Sequence, residues 1–298
     1  MLVDAPILGV RDNLLLLRSL PAFMSIEDAA LNLLAEHARV RRVREGERIL
    51  DPASPIDRVY VVIEGEVRWT RGARTPKVAG RHDVVGWIAL MAREEGIEAI
   101  AKTEAVVLEL PAETLERALE DHFPIVRNTM RLGAASLVRA RGNLPIDKAA
   151  APPAQPGLRR ETPRSLVERV MGMRTAPIFK RASVEAVIAL ARNWTAVRAE
   201  PGDILWRVGD DSSHWLIIDY GVVTTTSRDG DSVDVGSGFV LGILDSIARL
   251  PRSYEARAAT EIVASRIELE GFLGVLETHF DLARDFIAYL AREALDRP

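Results

Sequence analysis

The stretch from Val240 to Ala258 reads VLGILDSIARLPRSYEARA. A glycine precedes a short apolar turn with helical spacing, and Pro251-Arg252-Ser253 then opens a segment that reads as a strand. A chain can cradle a phosphate in this way, because the amide groups at the head of a helix and a nearby arginine both suit an anion. The question is whether this stretch holds an anion or keeps only the shape of such a site.

A second copy of the pattern lies upstream. A shift of 156 residues puts RSLPAF (Arg18 to Phe23) over RTAPIF (Arg174 to Phe179). The same shift sets Gly46 over Gly202, Gly65 over Gly221 and Gly86 over Gly242. Beyond Gly86 the register slips to 157, where LEDHF (Leu119 to Phe123) lies over LETHF (Leu276 to Phe280), so the first copy lacks one residue inside the opening stretch. A period this long means two copies of a whole domain, since the short periods of solenoids are absent. The expected limits are 1–141 for the first domain, 142–163 for a linker and 164–298 for the second domain.

The linker, Gly142 to Pro163, is dense in Pro and Ala and reads as extended and semi-rigid. Within it RRET (Arg159 to Thr162) has the look of a basophilic kinase site, with solvated linker charge as the plainer reading. Each copy opens with apolar residues three and four apart, and Ser25 is an N-cap candidate ahead of Glu27 and Asp28. Short Val- and Ile-rich segments punctuated by Gly and Asp follow, RVYVVIEGEVRWT in one copy and HWLIIDYGVVTTT in the other, as in an antiparallel barrel or jelly roll. A long helical stretch closes each copy. The fold class expected is β-rich α+β: two jelly-roll barrels, each flanked by N- and C-terminal helices.

This order of features, with Gly-x-Leu-x followed by Pro-Arg-Ser, resembles the cyclic-nucleotide-binding domain superfamily, twice over nearly the whole chain. The resemblance implies a ligand cassette in which the short helix and an arginine take the cyclic phosphate and a glutamate takes the ribose hydroxyl. In the second copy Gly242 and Arg252 hold the glycine and arginine positions, ten residues apart. The glutamate position is Ile243, followed by Leu244; the alanine position is Asp245; and Tyr254 stands where a small residue follows Arg252-Ser253. In the first copy Gly86 keeps its place, but Trp87, Ile88 and Ala89 follow it, with Trp87 at the glutamate position. Its arginine position falls on Gly96, or on Glu95 if the lost residue lies after it.

Losing a charged hydrogen bond to ribose costs roughly 1.5–3 kcal/mol. A carboxylate on Asp245 about 4 Å from a phosphate adds up to roughly 4 kcal/mol of repulsion at an effective dielectric near 20. Together these remove on the order of four or five decades of affinity. Asp245 therefore reads as a stand-in for the phosphate, reaching Arg252 from the first helical turn, with a different anionic ligand as the alternative. In the first copy the Trp87 indole is expected to fill the volume of a ribose.

Composition narrows the function further. The 298 residues carry a formal net charge of -4, which argues against a general phosphate-backbone binder, so no nucleic-acid partner is expected. There is no cysteine, excluding disulfides, thiolate nucleophiles and Cys-ligated zinc. No stretch approaches about 18 apolar residues and the start lacks a basic leader, so the expectation is a cytoplasmic protein without a membrane partner. His37, His82, His122, His214 and His279 show no metal-ligand or triad spacing, and no nucleophile, base and orienter set assembles; no catalytic residue, metal or cofactor is expected. The arginine run Ala38 to Arg48 reads as the outer face of a strand, with a partner-binding stripe as the alternative. Trp194, Trp206 and Trp215 read as core or rim packing. No helix-turn-helix module follows the last helix, so a transcription factor is not expected.

Two functions remain. One is a non-enzymatic regulatory or scaffold protein whose degenerate domains bind another protein, or a second copy through an apolar stripe on the last helix (Phe280, Ala283, Ile287, Leu290, Ala294, widened by Phe286 and Tyr289). The other is a sensor binding a cyclic nucleotide or another phosphate-bearing anion through Arg252.

Overall fold

A computed structural model describes residues 9–21, 23, 24, 26, 28–146, 151–158, 165–175, 179 and 182–295. Ser25 and Thr162 lie outside the described residues. The first copy runs α1 (Val10–Ser19), α2 (Asp28–His37), β1 (Arg39–Val43), β2 (Arg48–Leu50), β3 (Arg58–Glu64), β4 (Val67–Arg71), β5 (Lys77–Ala79), β6 (Val84–Val85), α3 (Trp87–Ala92), β7 (Ile97–Ala101), β8 (Ala105–Pro111), α4 (Ala112–Asp121) and α5 (Phe123–Ala140). The second repeats it as α6 (Leu166–Thr175), α7 (Val184–Arg192), β9 (Trp194–Ala199), β10 (Ile204–Trp206), β11 (His214–Tyr220), β12 (Val223–Ser227), β13 (Ser232–Val235), β14 (Val240–Leu241), α8 (Ile243–Ala248), β15 (Tyr254–Ala258), β16 (Ile262–Glu268), α9 (Leu269–Thr278) and α10 (Phe280–Leu295).

Each copy folds into two four-stranded antiparallel sheets with one strand order. The first has β1-β8-β3-β6 over β2-β7-β4-β5; the second has β9-β16-β11-β14 over β10-β15-β12-β13. This is the expected pair of jelly rolls with flanking helices. Alternation sets the inner face: on β12, Val223, Thr225 and Ser227 are buried while Thr224 and Thr226 are half-buried. On β11 the run Trp215 to Ile218 is buried on both faces, because the strand is central in its sheet and carries α8 on its outer side. The second core gathers Trp206, Leu216, Ile218, Val223, Leu241 and Ala256.

The glycines that gave the repeat its register have steric causes. A Cβ on Gly65 would lie 2.4 Å from the Glu104 carbonyl, and one on Gly221 would lie 2.2 Å from the Glu261 carbonyl. Both also take positive φ, so only glycine lets the strands cross this closely. His122 and His279, the other matched pair, sit at the C-caps of α4 and α9, and their amides close those helices on Ala118 and Val275.

By packing, the chain divides into unit 1, residues 1–129 with 287–298, and unit 2, residues 130–286. The repeat sets different sequence limits, because α5 and α10 each change unit partway along. In unit 2, part of the predicted linker is pinned to the second barrel: the Ser237 amide donates to the Gln155 carbonyl at 2.8 Å and the Gly221 amide to the Pro156 carbonyl at 2.8 Å. Phe286 stacks edge-on against Phe272, and Phe272 against Trp215, tying α10 through α9 to β11.

Of the stripe on the last helix, Ala283, Phe286, Ile287 and Leu290 are buried within the chain, while Phe280, Tyr289 and Ala294 are half-buried. Arginines of the Ala38 to Arg48 run are ion-paired, Arg41 on β1 with Glu47 and Glu109, and Arg48 on β2 with Glu98. No described helix is long and apolar enough to cross a membrane.

Candidate functional site

The second cassette is built on Gly242, in the left-handed region at φ 85, which turns β14 into α8. All six residues of α8, Ile243 to Ala248, are buried, including the candidate positions Ile243, Leu244 and Asp245. Arg249, also left-handed at φ 53, ends the helix. The chain then returns through Pro251 to Arg252, anchored by the Arg252 amide on the Asp210 carbonyl at 2.9 Å and the Gly209 amide on the Arg252 carbonyl at 2.9 Å.

The Arg252 side chain points inward and is 1% exposed. Its Nη1 donates to the Gly242 carbonyl at 3.1 Å and its Nη2 to the His214 carbonyl. Its guanidinium carbon lies 4.0 Å from the centre of the Trp206 ring, a cation–π contact out of water. Trp206 in turn meets Tyr254 at 6.0 Å. The donors expected to meet a phosphate are thus turned onto two backbone carbonyls beneath an indole. Burial pulls the guanidinium below its usual value, with the nearby Tyr254 and Asp245 opposing that shift.

Asp245 is placed differently from expectation. Its carboxylate accepts the Ser253 hydroxyl at 2.8 Å and the Ser253 amide at 3.2 Å, and among the described residues no carboxylate reaches ion-pair distance of Arg252. The acid therefore closes the loop after α8 and does not stand in for the phosphate. Burial raises its pKa, while the two Ser253 bonds hold it down. Gly242 and Arg252 are brought together, Ser253 is diverted to Asp245, and Tyr254 fills the space a small residue would leave. Its hydroxyl approaches the Gly242 amide without a well-formed hydrogen bond, and burial drives its pKa well above the usual value.

Two partners of Arg252 escaped the sequence reading. His214 takes part through its carbonyl, which also accepts the Ser246 hydroxyl at 2.7 Å, and no side-chain pattern announces a carbonyl. The sequence reads Trp206 as core or rim packing, not as a lid over the arginine. The repeat held a signal, since Trp206 stands over Leu50, and Leu50 borders Gly86 as Trp206 borders Gly242.

The first cassette keeps the backbone without the cation. Gly86 has φ 90 and Arg93 ends α3 at φ 55, as in the second copy. The missing residue falls after α3: Glu95 and Gly96 stand where Pro251, Arg252 and Ser253 stand in copy two. Trp87 packs edge-on against Phe23 at 6.4 Å, so its indole braces the entry helices instead of filling a ribose volume. Ala89 is buried and Ile88 is exposed. Beside the second cassette, a cavity of about 430 Å³ is lined by Ser246, Arg249 and Pro251 of the cassette together with Asp210, Asp211 and Glu270; Arg252 does not line it. Among the described residues no cluster of His, Asp and Glu is placed to hold a metal ion.

The half-buried His214 ring has its pKa lowered to about 4, first by desolvation and then by the Arg252 and Arg266 charges. Between pH 6.5 and about 4 the unfolded chain binds a proton here that the folded chain refuses, so this group's stabilisation is lost as pH falls through that window. Urea midpoints measured across pH 7 to 4 should therefore fall less in His214→Gln than in wild type. Parallel curves would remove His214 as the cause.

Among family models, the cyclic nucleotide-binding domain matches residues 40–122 and 196–279. No curated protein matches the chain in sequence. The chain is similar to the regulatory domain of Toxoplasma gondii PKA, solved with cAMP, at 15% identity and TM-score 0.35, covering 95% of this chain and 97% of that one. It is similar to the regulatory subunit of a cAMP-independent protein kinase A from Trypanosoma brucei at 15% identity and TM-score 0.35, covering 97% of each chain. The N-terminal domain of a transcriptional regulator from Streptomyces coelicolor A3(2) matches at 23% identity and TM-score 0.38, over 41% of this chain and 91% of that one.

Proposed function

As the chain belongs to the cyclic nucleotide-binding domain family, we propose that it is a non-enzymatic regulatory protein whose two domains no longer take the family ligand and act through contacts with other proteins. The observation that carries this reading is Arg252, 1% exposed, with its donors on the Gly242 and His214 carbonyls and its face against Trp206. A nucleotide must break two charge-assisted bonds, each about 1.5–3 kcal/mol. Micromolar affinity amounts to only about 8 kcal/mol, so that cost alone takes such a ligand to the submillimolar range or weaker. In the first domain the loop after α3 runs Arg93, Glu94, Glu95, Gly96, and has no arginine at the place of Arg252.

A protein partner is supported by the exposed apolar side chains at equivalent places in the two copies. Val10 and Leu166 open α1 and α6, 46% and 37% exposed, and Leu15 and Met171 lie further along, 59% and 65% exposed. Self-association through the last helix is not part of this reading, because Ala283, Phe286, Ile287 and Leu290 of its stripe are buried within the chain.

A second reading, an anion sensor, has its own support. Arg252 Nε, Trp206 Nε1 and the Ser227 hydroxyl are buried polar atoms without a partner, all in the second domain, and such groups invite a ligand. A thermal-shift screen separates the two readings. Cyclic AMP and cyclic GMP at millimolar concentration should leave the melting temperature unchanged, because stabilisation by linkage needs ligand well above its dissociation constant. A shift of several degrees that vanishes in Arg252→Ala would establish the sensor instead.

A further inference from the structure

Unit 1 is completed by the end of the chain. Residues 287–298 belong to it by packing, and Ile287, Leu290, Ala291 and Leu295 are each buried. Two arginines fix the contact from opposite sides. Arg292 Nε donates to the Ala92 carbonyl at 3.1 Å, at the carbonyl end of α3, and its guanidinium lies 4.0 Å from Glu94. Arg74, in the turn between β4 and β5, donates through Nη1 to the Leu295 carbonyl at the end of α10. The partially negative end of α3 is thus met by a cation from α10, and that of α10 by a cation from the β4–β5 turn, a favourable arrangement for a helix C-terminus. Glu94 is held for this role by Arg71 at 2.8 Å.

We propose that the carbonyl end of the first cassette is a helix-receiving site whose resident ligand is residues 287–295 of the chain itself. The two copies support this by contrast. In the second, an arginine from within the cassette, Arg252, bonds the carbonyl of Gly242 at the head of α8. The first has lost that arginine, and Arg292 bonds the carbonyl of Ala92 at the tail of α3. The cassette that lacks its own arginine is held by one supplied from the last helix. A protein that displaced this helix would have to present the same chemistry: an amphipathic helix with an Ile/Leu/Ala face and an arginine in its final turn. The inference rests on the first cassette having no nucleotide of its own, and its test can fail separately from that reading.

Hydrogen exchange on the full chain provides the test. Arg292→Ala removes a charge-assisted bond, so the amides of 87–96 should exchange about tenfold faster. Arg74→Ala should deprotect the same segment, the double variant should add little because both arginines serve one contact, and 243–254 should not change. Arg292→Lys should restore part of the protection. If 87–96 exchanges at the wild-type rate in Arg292→Ala while the far-UV spectrum is retained, the last helix is merely adjacent and the proposal falls. Should Arg292→Ala not fold, Arg74→Ala, which removes the bond to Leu295, decides by the same criterion. Protection of 87–96 gained on adding cyclic AMP to wild type would instead sink the no-nucleotide reading and leave the helix contact standing.

Discussion

Arg252→Ala is expected to lower the stability of the second domain by about 4 kcal/mol. Two carbonyls lose their donor out of water, at about 1–3 kcal/mol each, and the emptied space beneath Trp206 adds a cavity cost of similar size. At roughly 2–4 °C per kcal/mol for a domain of this size, the melting transition should fall by about 10 °C. The expectation has opposite sign to that for a ligand arginine, whose removal abolishes binding but leaves the empty domain as stable or more so. Arg252 also bears a burial cost, because no carboxylate among the described residues pairs with it. Replacing a buried charge with an apolar side chain of like volume can therefore recover part of the loss. Arg252→Met should fall between, near 2 kcal/mol, keeping the volume but leaving the carbonyls unpaired. Calorimetry on the three proteins checks the order. If Arg252→Ala melts within about 1 kcal/mol of wild type, the arginine is not a structural member and the sensor reading gains.

That Arg252 donates to the Gly242 and His214 carbonyls could not be read from the sequence, although its position could. The glycines in register, the alternation of short strands and the Pro-Arg-Ser return were enough for two jelly rolls, because each reflects a local steric or packing demand. Gly221 must clear the Glu261 carbonyl, and Thr225 and Ser227 must face inward on β12. The partners of Arg252 obey no such local rule. The His214 carbonyl has no side-chain signature, and Trp206 becomes a lid only once β10 is laid beside β15. Asp245 lies seven residues from Arg252 and eight from Ser253, so spacing does not say which it bonds; the fold after Pro251 selects Ser253. The stripe on α10 is as wide as its residues imply, but what covers it depends on the helix changing unit at Ile287.

The matched glycines that opened the repeat supply the sharpest comparison between the two cassettes. Gly86 and Gly242 both start a short helix at positive φ, 90 and 85, so alanine at either meets backbone strain of about 1–3 kcal/mol. What a Cβ would meet differs. At Gly86 the nearest atoms are the Arg58 carbonyl oxygen and Leu50 Cδ1, both at 3.3 Å, and a shift of a few tenths of an ångström relieves them. At Gly242 the nearest atom is Nη1 of Arg252 at 2.3 Å, with Trp206 at 3.1 Å behind it, so the methyl must drive the guanidinium off its carbonyls. Gly242→Ala should therefore cost about 3–5 kcal/mol, strain plus a broken charge-assisted bond, against about 1–2 kcal/mol for Gly86→Ala. The excess belongs to Arg252 and should disappear with it. In an Arg252→Ala background, Gly242→Ala should cost no more than Gly86→Ala does in wild type, a coupling of about 2 kcal/mol read from a double-mutant cycle by urea unfolding. Equal costs for the two glycines in wild type, or a Gly242→Ala penalty that persists without Arg252, would mean that the guanidinium does not occupy the head of the short helix in solution.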